Sequence, residues 1–356
     1  MRDVFVLSDN IVSPLGGSTE ENFRALASGR TGIRLHERVD MSRTPFYASL
    51  FDSPIGFEEL AVASASAALV ESGLDPSDPR LVFILSSTKG NIGLLERGVD
   101  DPSVFSLASS ASRIAARLGF VTPPLVVSHA CISGVEAMIT ARRLLRAGRF
   151  DHAVVAGADL ITRFILSGFQ SFQAVSPEPC RPFDAGRQGV TLGEAAGTVV
   201  LSVRAGGIRL AGGAVSNDAN HISGPSRTGE ELYMAIRRAL PGGSVDFISA
   251  HGTATLYNDD MEARALTLAG LAGVPVNSLK GFYGHTLGAA GLVESIISMQ
   301  SLRENLILGT PGYRSPGTVV PLRVAAAPIH LPVQRCLKTA SGFGGCNAAL
   351  ILEKTI

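Results

Sequence analysis

The chain lacks net charge: 31 lysines and arginines balance 31 aspartates and glutamates over 356 residues. No global field therefore draws it to nucleic acid or to an anionic membrane, although one face can still carry a basic patch. It lacks any apolar run long enough to cross a bilayer. The opening stretch, MRDVFVLSDNIVSPLG, lacks the long uncharged core of a signal peptide. Cysteine is scarce, with Cys131, Cys180, Cys336 and Cys346 far apart and no CxxC pair. A chain of this length has no need of disulfide staples. Metal-ligand spacings such as HxxxH are missing too, so no metal site is expected. His36, His129, His152, His221 and His330 read as structural. The expectation is a reduced, cytoplasmic protein without a membrane span.

Small residues are what the chain has in abundance. Glycine occurs 39 times and apolar residues make up 46%, a composition suited to closely packed helices and strands joined by tight turns. Short apolar runs at 4–7, 81–86, 125–128, 153–156, 197–203, 245–249, 274–277 and 348–353 read as buried strands. Helical patterns cover 56–72, 133–147, 229–239, 260–268 and 288–304. Their alternation predicts an α/β unit with helices on mostly parallel strands. LVVSHACISGVEAMITARRLLRAG and VPVNSLKGFYGHTLGAAGLVESIISM each run from a strand, through a small-residue turn carrying a reactive side chain, into a helix. That repeat suggests two similar halves, residues 1–205 and 206–356.

Three side chains stand out chemically. Cys131 sits between a strand and a helix, where free N–H groups and the helix dipole favour a thiolate and lower its pKa. The same N–H groups suit a carbonyl oxyanion. A buried structural cysteine is the alternative reading. His251 follows the strand SVDFISA and so faces the crevice where open α/β sheets bind ligands. Thr253 and Thr255 beside it could bond a polar substrate arm; a histidine satisfied by loop backbone is the competing reading. His285 lies among Gly284, Gly288 and Gly291. Lys280 could orient it and Glu294 could pair with Lys280, the alternative being a surface ion pair worth little. SGFGGCNAALILE places Phe343 in a glycine turn before a strand, which suits a gate or an oxyanion loop and departs from a dinucleotide fingerprint; a hydrophobic plug in a tight turn is the competing reading. Asp184, Arg187 and Glu194, in the glycine-rich stretch RPFDAGRQGVTLGEAAG, read as structural.

SHACISG, RPFDAGRQGVTLGEAAG, HGTATLYND, KGFYGHTLGAAGLVE and GFGGCNAAL occur in the order found in β-ketoacyl-[acyl-carrier-protein] synthases, which the chain resembles along essentially its whole length. The resemblance implies a thiolase-like fold, with two similar βαβ-rich halves in an αβαβα layered arrangement. It implies that Cys131 takes an acyl group from acyl carrier protein, and that His251 and His285 stabilise the enolate left when malonyl thioester loses CO2. Cys131 and Phe343 would supply backbone N–H groups to a second oxyanion hole, and Phe343 would also gate the pocket. Thr253 and Thr255 would hold the phosphopantetheine arm, with Lys280 and Glu294 supporting His285. No bound cofactor is implied, because the phosphopantetheine arrives with the substrate. The implied partners are the carrier and a second copy, or another ketosynthase-like chain in a heterodimer. Cys-His-His is the elongating pattern. A non-catalytic, chain-length-factor-like subunit is the alternative, and the presence of Cys131 argues against it.

The chain also departs from that pattern. It is shorter than typical elongating synthases before Cys131 and between Cys131 and His251. FDSPIGFEELAVASASAAL lacks a basic cluster to meet the acidic carrier, for which Arg142, Arg143, Arg146 and Arg149 could substitute. Ser341 stands where an aromatic is common, Cys346 where threonine is usual, and SSTKGN at 86–91 is unlike the customary glycine-rich loop. These changes point to a specialised polyketide or polyene-type lipid pathway as an alternative to ordinary fatty-acid synthesis.

Overall fold

The computed structural model describes residues 2–219 and 222–355; His221 lies outside them. Ten strands make the main sheet: β1 (Phe5–Val12), β2 (Leu81–Ser86), β3 (Leu125–Val127), β4 (His152–Asp159), β5 (Ala195–Ser202), β6 (Ile208–Asn217), β7 (Phe247–Ser249), β8 (Val276–Asn277), β9 (Arg335–Gly342) and β10 (Cys346–Lys354). Their spatial order is β8-β7-β9-β10-β6-β1-β5-β4-β2-β3. Strands before residue 205 form one end and strands after it the other, joined by a short antiparallel contact in which Phe5 and Val6 face Arg209 and Ile208.

The sheet is mixed, which corrects the expectation of mostly parallel strands. β3, β2 and β4 run parallel, as do β8, β7 and β9. The β1–β5, β4–β5, β1–β6, β6–β10 and β9–β10 pairs are antiparallel. Connection length decides between the two arrangements. A parallel pair needs a crossover long enough for a helix, whereas β9 and β10 are joined only by the turn at 343–345.

Helices complete five layers. α1 (Phe57–Ser72) and α2 (Leu107–Leu118) cover the outer face of the first half. α3 (Ser133–Arg146) lies between the halves, touching β2 and β4 on one side and β6 and β10 on the other. α4 (Arg163–Ser171) borders the site described below. α5 (Glu230–Ala239) packs on β6 and β10, flanked by α6 (Leu256–Leu268). α7 (Ala290–Glu304) joins α3 in the middle layer, on β5 and β9. The two central helices approach closely because glycine faces the partner on each. A Cβ on Gly134 would come within 2.6 Å of the Leu292 nitrogen, and one on Gly291 within 2.5 Å of Val135 Cγ2. Real side chains do not tolerate such distances, so this contact depends on glycine. It brings the Cys131 end of α3 against the turn that follows His285. Among the described residues no helix is long and apolar enough to cross a membrane.

Candidate active site

Cys131 is set on a sharp turn between β3 and α3. Ala130 carries φ = 47°, the left-handed region that non-glycine residues rarely enter, and the chain turns there into the helix. The Ser133 hydroxyl donates to the Ala130 carbonyl at 2.6 Å and accepts the His129 N–H at 2.8 Å, locking the turn from within. Gly342, at the end of β9, closes over it: a Cβ there would lie 2.9 Å from both the Cys131 nitrogen and Cys346 Sγ. The Phe343 N–H lies near enough to the Cys131 sulfur to favour its anion.

The electrostatics of the thiol reverse the sequence expectation. Burial pushes its pKa up to about 11; the Lys280 charge and the Phe343 N–H offset this only in part. Desolvation of the anion outweighs the stabilisation available at the helix start. Cys131 therefore rests as a thiol.

His251 and His285 face one another edge-on, with ring centroids 5.3 Å apart and an interplanar angle of 84°. Burial holds both well below the ordinary imidazole value of 6.5, and the nearby Lys280 charge lowers them further. Both are neutral donors near pH 7. Lys280 Nζ stands 3.5 Å from His251 Nδ1. An ammonium can only donate, so Nδ1 is the acceptor and the His251 proton sits on Nε2. His285 Nδ1 has no hydrogen-bond partner among the described residues.

Lys280 was expected to support His285; its charge acts on both rings, and its Nζ also stands in hydrogen-bonding range of His251 Nδ1. The turn bearing Lys280 follows β8, and β8 pairs directly with β7, whose end leads to His251. Glu294, on α7, takes Lys280 Nζ on Oε1 and Lys338 Nζ on Oε2, each at 2.7 Å. Lys338 also donates to the carbonyls of Ser249 and Ala250 at 3.1 Å. All three side chains are buried, so two cations share one carboxylate behind the histidines.

Two carboxylates pin the histidine loop. Glu262 accepts the N–H groups of His251 and Gly252, each at 2.8 Å, and the Thr339 hydroxyl at 2.5 Å. Asp259 accepts those of Thr253 at 3.0 Å, Ala254 at 3.2 Å and Phe183 at 2.7 Å. They sit three apart on α6 and so share a face. Asp159 ties the 86–91 loop to the turn after His285, accepting from the Ser87 hydroxyl at 2.9 Å and the Gly288 N–H at 2.8 Å; burial raises its pKa to about 6. None of Lys338, Glu262, Asp259 and Asp159 was singled out in the sequence. The i, i+3 acid pair after HGTAT is the one signal that could have revealed two of them.

Cys131 and Phe343 line two cavities. One, of about 430 Å³, also holds His251, His285, Thr253 and Thr255; the threonine hydroxyls bond each other at 2.8 Å. The other, of about 690 Å³, is walled by Phe164, Ile165 and Leu287 with Thr88 and Ser167. Phe169 and Phe172 border both. Phe343 stacks on Phe169 at 5.7 Å and meets Phe172 edge-on at 5.7 Å, which makes an aromatic partition between the two spaces. Cys346 Sγ lies 3.4 Å from the Phe343 carbonyl and so braces the same turn.

The remaining residues singled out in the sequence lie elsewhere. His36, His129 and His152 bond Ala48, Glu136 and Ser202 respectively, and His330 is exposed. Asp184 and Glu194 accept backbone N–H groups, and Arg187 donates to the carbonyls of Asp184, Gly317 and Leu256. No group of three or more His, Cys, Asp or Glu among the described residues could hold a metal ion.

Comparison with known proteins matches residues 56–205 to the β-ketoacyl synthase N-terminal domain and residues 208–314 to the β-ketoacyl synthase C-terminal domain. The chain belongs to the β-ketoacyl synthase family. Within that family it is 31% identical to the 3-oxoacyl-[acyl-carrier-protein] synthase 2 of Rhizobium meliloti, over 99% of both chains. Among solved structures it resembles the ketosynthase ApeO from Xenorhabdus doucetiae, determined in complex with its chain length factor ApeC. That match has a TM-score of 0.90 and 25% identity, and covers 99% of this chain and 98% of the other. The ishigamide ketosynthase/chain length factor matches with a TM-score of 0.89 and 27% identity over the full length of both chains. The thiolase-like fold expected from the motifs is the fold of these ketosynthases.

Proposed function

We propose that the chain condenses an acyl thioester with malonyl thioester, both delivered on acyl carrier protein. The observation that carries this reading is one buried cavity with a thiol nucleophile at a turn and two neutral imidazoles facing each other. In the first step Cys131 attacks the acyl thioester, its proton leaves with the departing carrier thiol, and an acyl-Cys131 thioester forms. The N–H groups of Cys131 and Phe343 receive the carbonyl oxygen as charge develops there. In the second, malonyl thioester loses CO2 while His251 and His285 hold the enolate oxygen. That carbanion attacks acyl-Cys131, gives β-ketoacyl carrier, and returns Cys131 as a thiolate that takes up a proton.

A weak donor array would not suffice for the enolate. Two imidazoles in a water-excluded site act at low dielectric, and their geometry is already fixed by Glu262 and Lys280 on the His251 side. Thr253 and Thr255 hold the phosphopantetheine arm, and the partition of Phe343, Phe169 and Phe172 opens for the acyl chain to enter the larger cavity. The four phenylalanines of that cavity suit a rigid, unsaturated chain of a polyketide or polyene-type lipid. The two units 1–205 and 206–356 are the halves between which this site forms; the family matches meet between residues 205 and 208. Assembly is as a homodimer, or as a heterodimer with another ketosynthase-like chain, as the chain length factor complex of the relative suggests. Four free, buried cysteines suit a reducing, cytoplasmic setting.

The test is intact-mass analysis of the protein mixed with a panel of acyl carriers and malonyl carrier, with Cys131→Ala beside it. A β-ketoacyl carrier product that requires Cys131 supports the condensation. Folded protein that neither becomes acylated nor releases CO2 would move the reading to a non-catalytic or partner-dependent subunit.

A further inference from the structure

The larger of the two cavities lined by Cys131 has a neighbour. Phe164 and Ser167, which wall it, also wall a third cavity of about 970 Å³, so the two spaces adjoin along α4. Phe169 and Phe172, at the C-terminal end of α4, meet Phe343 at the nucleophile. Arg163, at the other end, precedes Phe172 by nine residues, about 13 Å along the helix. The segment 88–97 forms the facing wall. Its Thr88 and Lys89 line the cavity at Cys131, and its Gly90, Asn91 and Arg97 line the third. The two walls are tied together at the far end, where the Phe164 N–H donates to Glu96 Oε1 at 2.7 Å. Arg163 and Arg97 each adjoin one member of that bond in the chain, so both guanidinium groups stand at the far end of the passage. Leu50, Phe57 and Ile161 give the third cavity an apolar lining, and its charged groups fall into two classes. Every carboxylate is engaged: Asp40 by Arg38, Asp52 by Arg34, Glu96 by Phe164, and Glu194 by the N–H groups of Phe51 and Ile161. Arg97 and Arg163, like Lys89 nearer the nucleophile, form no ion pair among the described residues.

We propose that the acyl chain taken up by Cys131 runs through this passage and ends in a carboxylate, which Arg97 and Arg163 receive. The inference rests on the condensing function proposed above and names its acyl substrate: an extended chain with an anion at the end remote from the thioester. The aromatic and aliphatic walls cover the stem of such a chain, and charge selects its end. A hydrocarbon terminus gains nothing from two unpaired guanidinium groups, whereas a carboxylate matches their planar donor geometry. Both arginines are exposed, so each contact adds a few-fold preference that salt screens, and neither is needed for the chemistry at Cys131.

Condensation with malonyl carrier is measured for three carrier-borne primers of dodecanoyl length, ending in a methyl, a carboxylate or an ammonium group, with butanoyl carrier as the short control. The wild type is expected to prefer the carboxylate chain to the methyl chain by about fivefold or more in kcat/KM, and less so as salt rises. Arg97→Ala/Arg163→Ala should bring that ratio to about one. Arg97→Glu/Arg163→Glu should turn the preference to the ammonium chain. A general loss of folding or activity divides out of a ratio between chains of equal length. A wild type that prefers the methyl chain, treats the two alike or accepts neither overturns the carboxylate assignment, as does an unchanged ratio in both arginine variants. Butanoyl turnover separates this failure from that of the condensing function: where it persists, only the selection of the chain end has failed. A wild type inactive on all four primers overturns both.

Discussion

Glu294→Gln removes the single anion that two buried ammonium groups share, and its consequence can be worked from the geometry. Lys280 and Lys338 each lose a partner at 2.7 Å. Breaking a buried pair in this way costs about 3–5 kcal/mol, because an uncompensated charge is left behind. The upper end is capped by proton release. A lysine of ordinary pKa about 10.4 that gives up its proton at pH 7 costs about 5 kcal/mol, at 1.36 kcal/mol per unit. For each lysine the cost cannot exceed that, and at pH 9 the cap falls to about 2 kcal/mol apiece. The sign follows from the direction of the shift. Burial already lowers the Lys338 pKa, and Glu294 is the chief group raising it. Without Glu294 the folded-state pKa falls further below the unfolded value, so the unfolded chain binds the extra proton and stability rises with pH. With about 2.1 cal/mol/K of unfolding entropy for each of 356 residues, 3–5 kcal/mol is a Tm loss of roughly 4–7 °C at pH 7. The gap from wild type should narrow by pH 9. Paired thermal melts from pH 6.5 to 9 measure it. A gap below about 1 °C, or one that does not narrow as pH rises, would refute the view that these three side chains form one buried charge cluster. Adding Lys338→Met to Glu294→Gln should recover stability relative to Glu294→Gln alone.

Three further outcomes follow from the same site. Because the Cys131 thiol is pushed up to about 11, iodoacetamide should label it on the order of a hundredfold more slowly than a free thiol at pH 8. The rate should climb about tenfold per pH unit, and a plateau by pH 8, read by peptide mapping, would contradict the burial argument. The imidazoles of His251 and His285 are held well below 6.5, so decarboxylation of malonyl thioester should stay level as pH falls from 8 through 6.5. A loss of rate centred near 6.5 would show that they titrate as ordinary histidines. Gly342→Ala forces a methyl to within 2.9 Å of the Cys131 nitrogen and Cys346 Sγ. It should cost about 1–3 kcal/mol and slow acylation of Cys131 more than malonyl decarboxylation; equal slowing of both steps, measured by intact mass and CO2 release, would place its effect elsewhere.

Where the sequence was legible, the reason was local periodicity. The strand at 81–86 is all apolar and buried on both faces, and Leu81–Ser86 forms as read. The helices at 56–72 and 133–147 end within one residue of their expected limits. β6 and β9 were missed for opposite reasons. β6 carries Gly212 and Gly213 in its middle, a turn signal in sequence; in the fold a side chain at Gly212 would collide with the Ala239 carbonyl at the end of α5. β9 reads RCLKTASG, too polar for a central strand. Its Lys338 and Thr339 face Glu294 and Glu262, partners that lie 44 and 77 residues away in the chain and that no local window can supply.

The sequence by itself marked which residues are candidates to react, since a cysteine before a helix and two histidines after strands are fixed by short-range pattern. Tertiary structure alone decided their electrical state and their neighbours. A pKa depends on how much water is excluded and which charges converge, and both are properties of assembled surfaces. Burial turned the expected thiolate into a thiol, the pairing of β7 with β8 set Lys280 against His251 as well as near His285, and the contact of α3 with α7 brought the two halves together at one cavity.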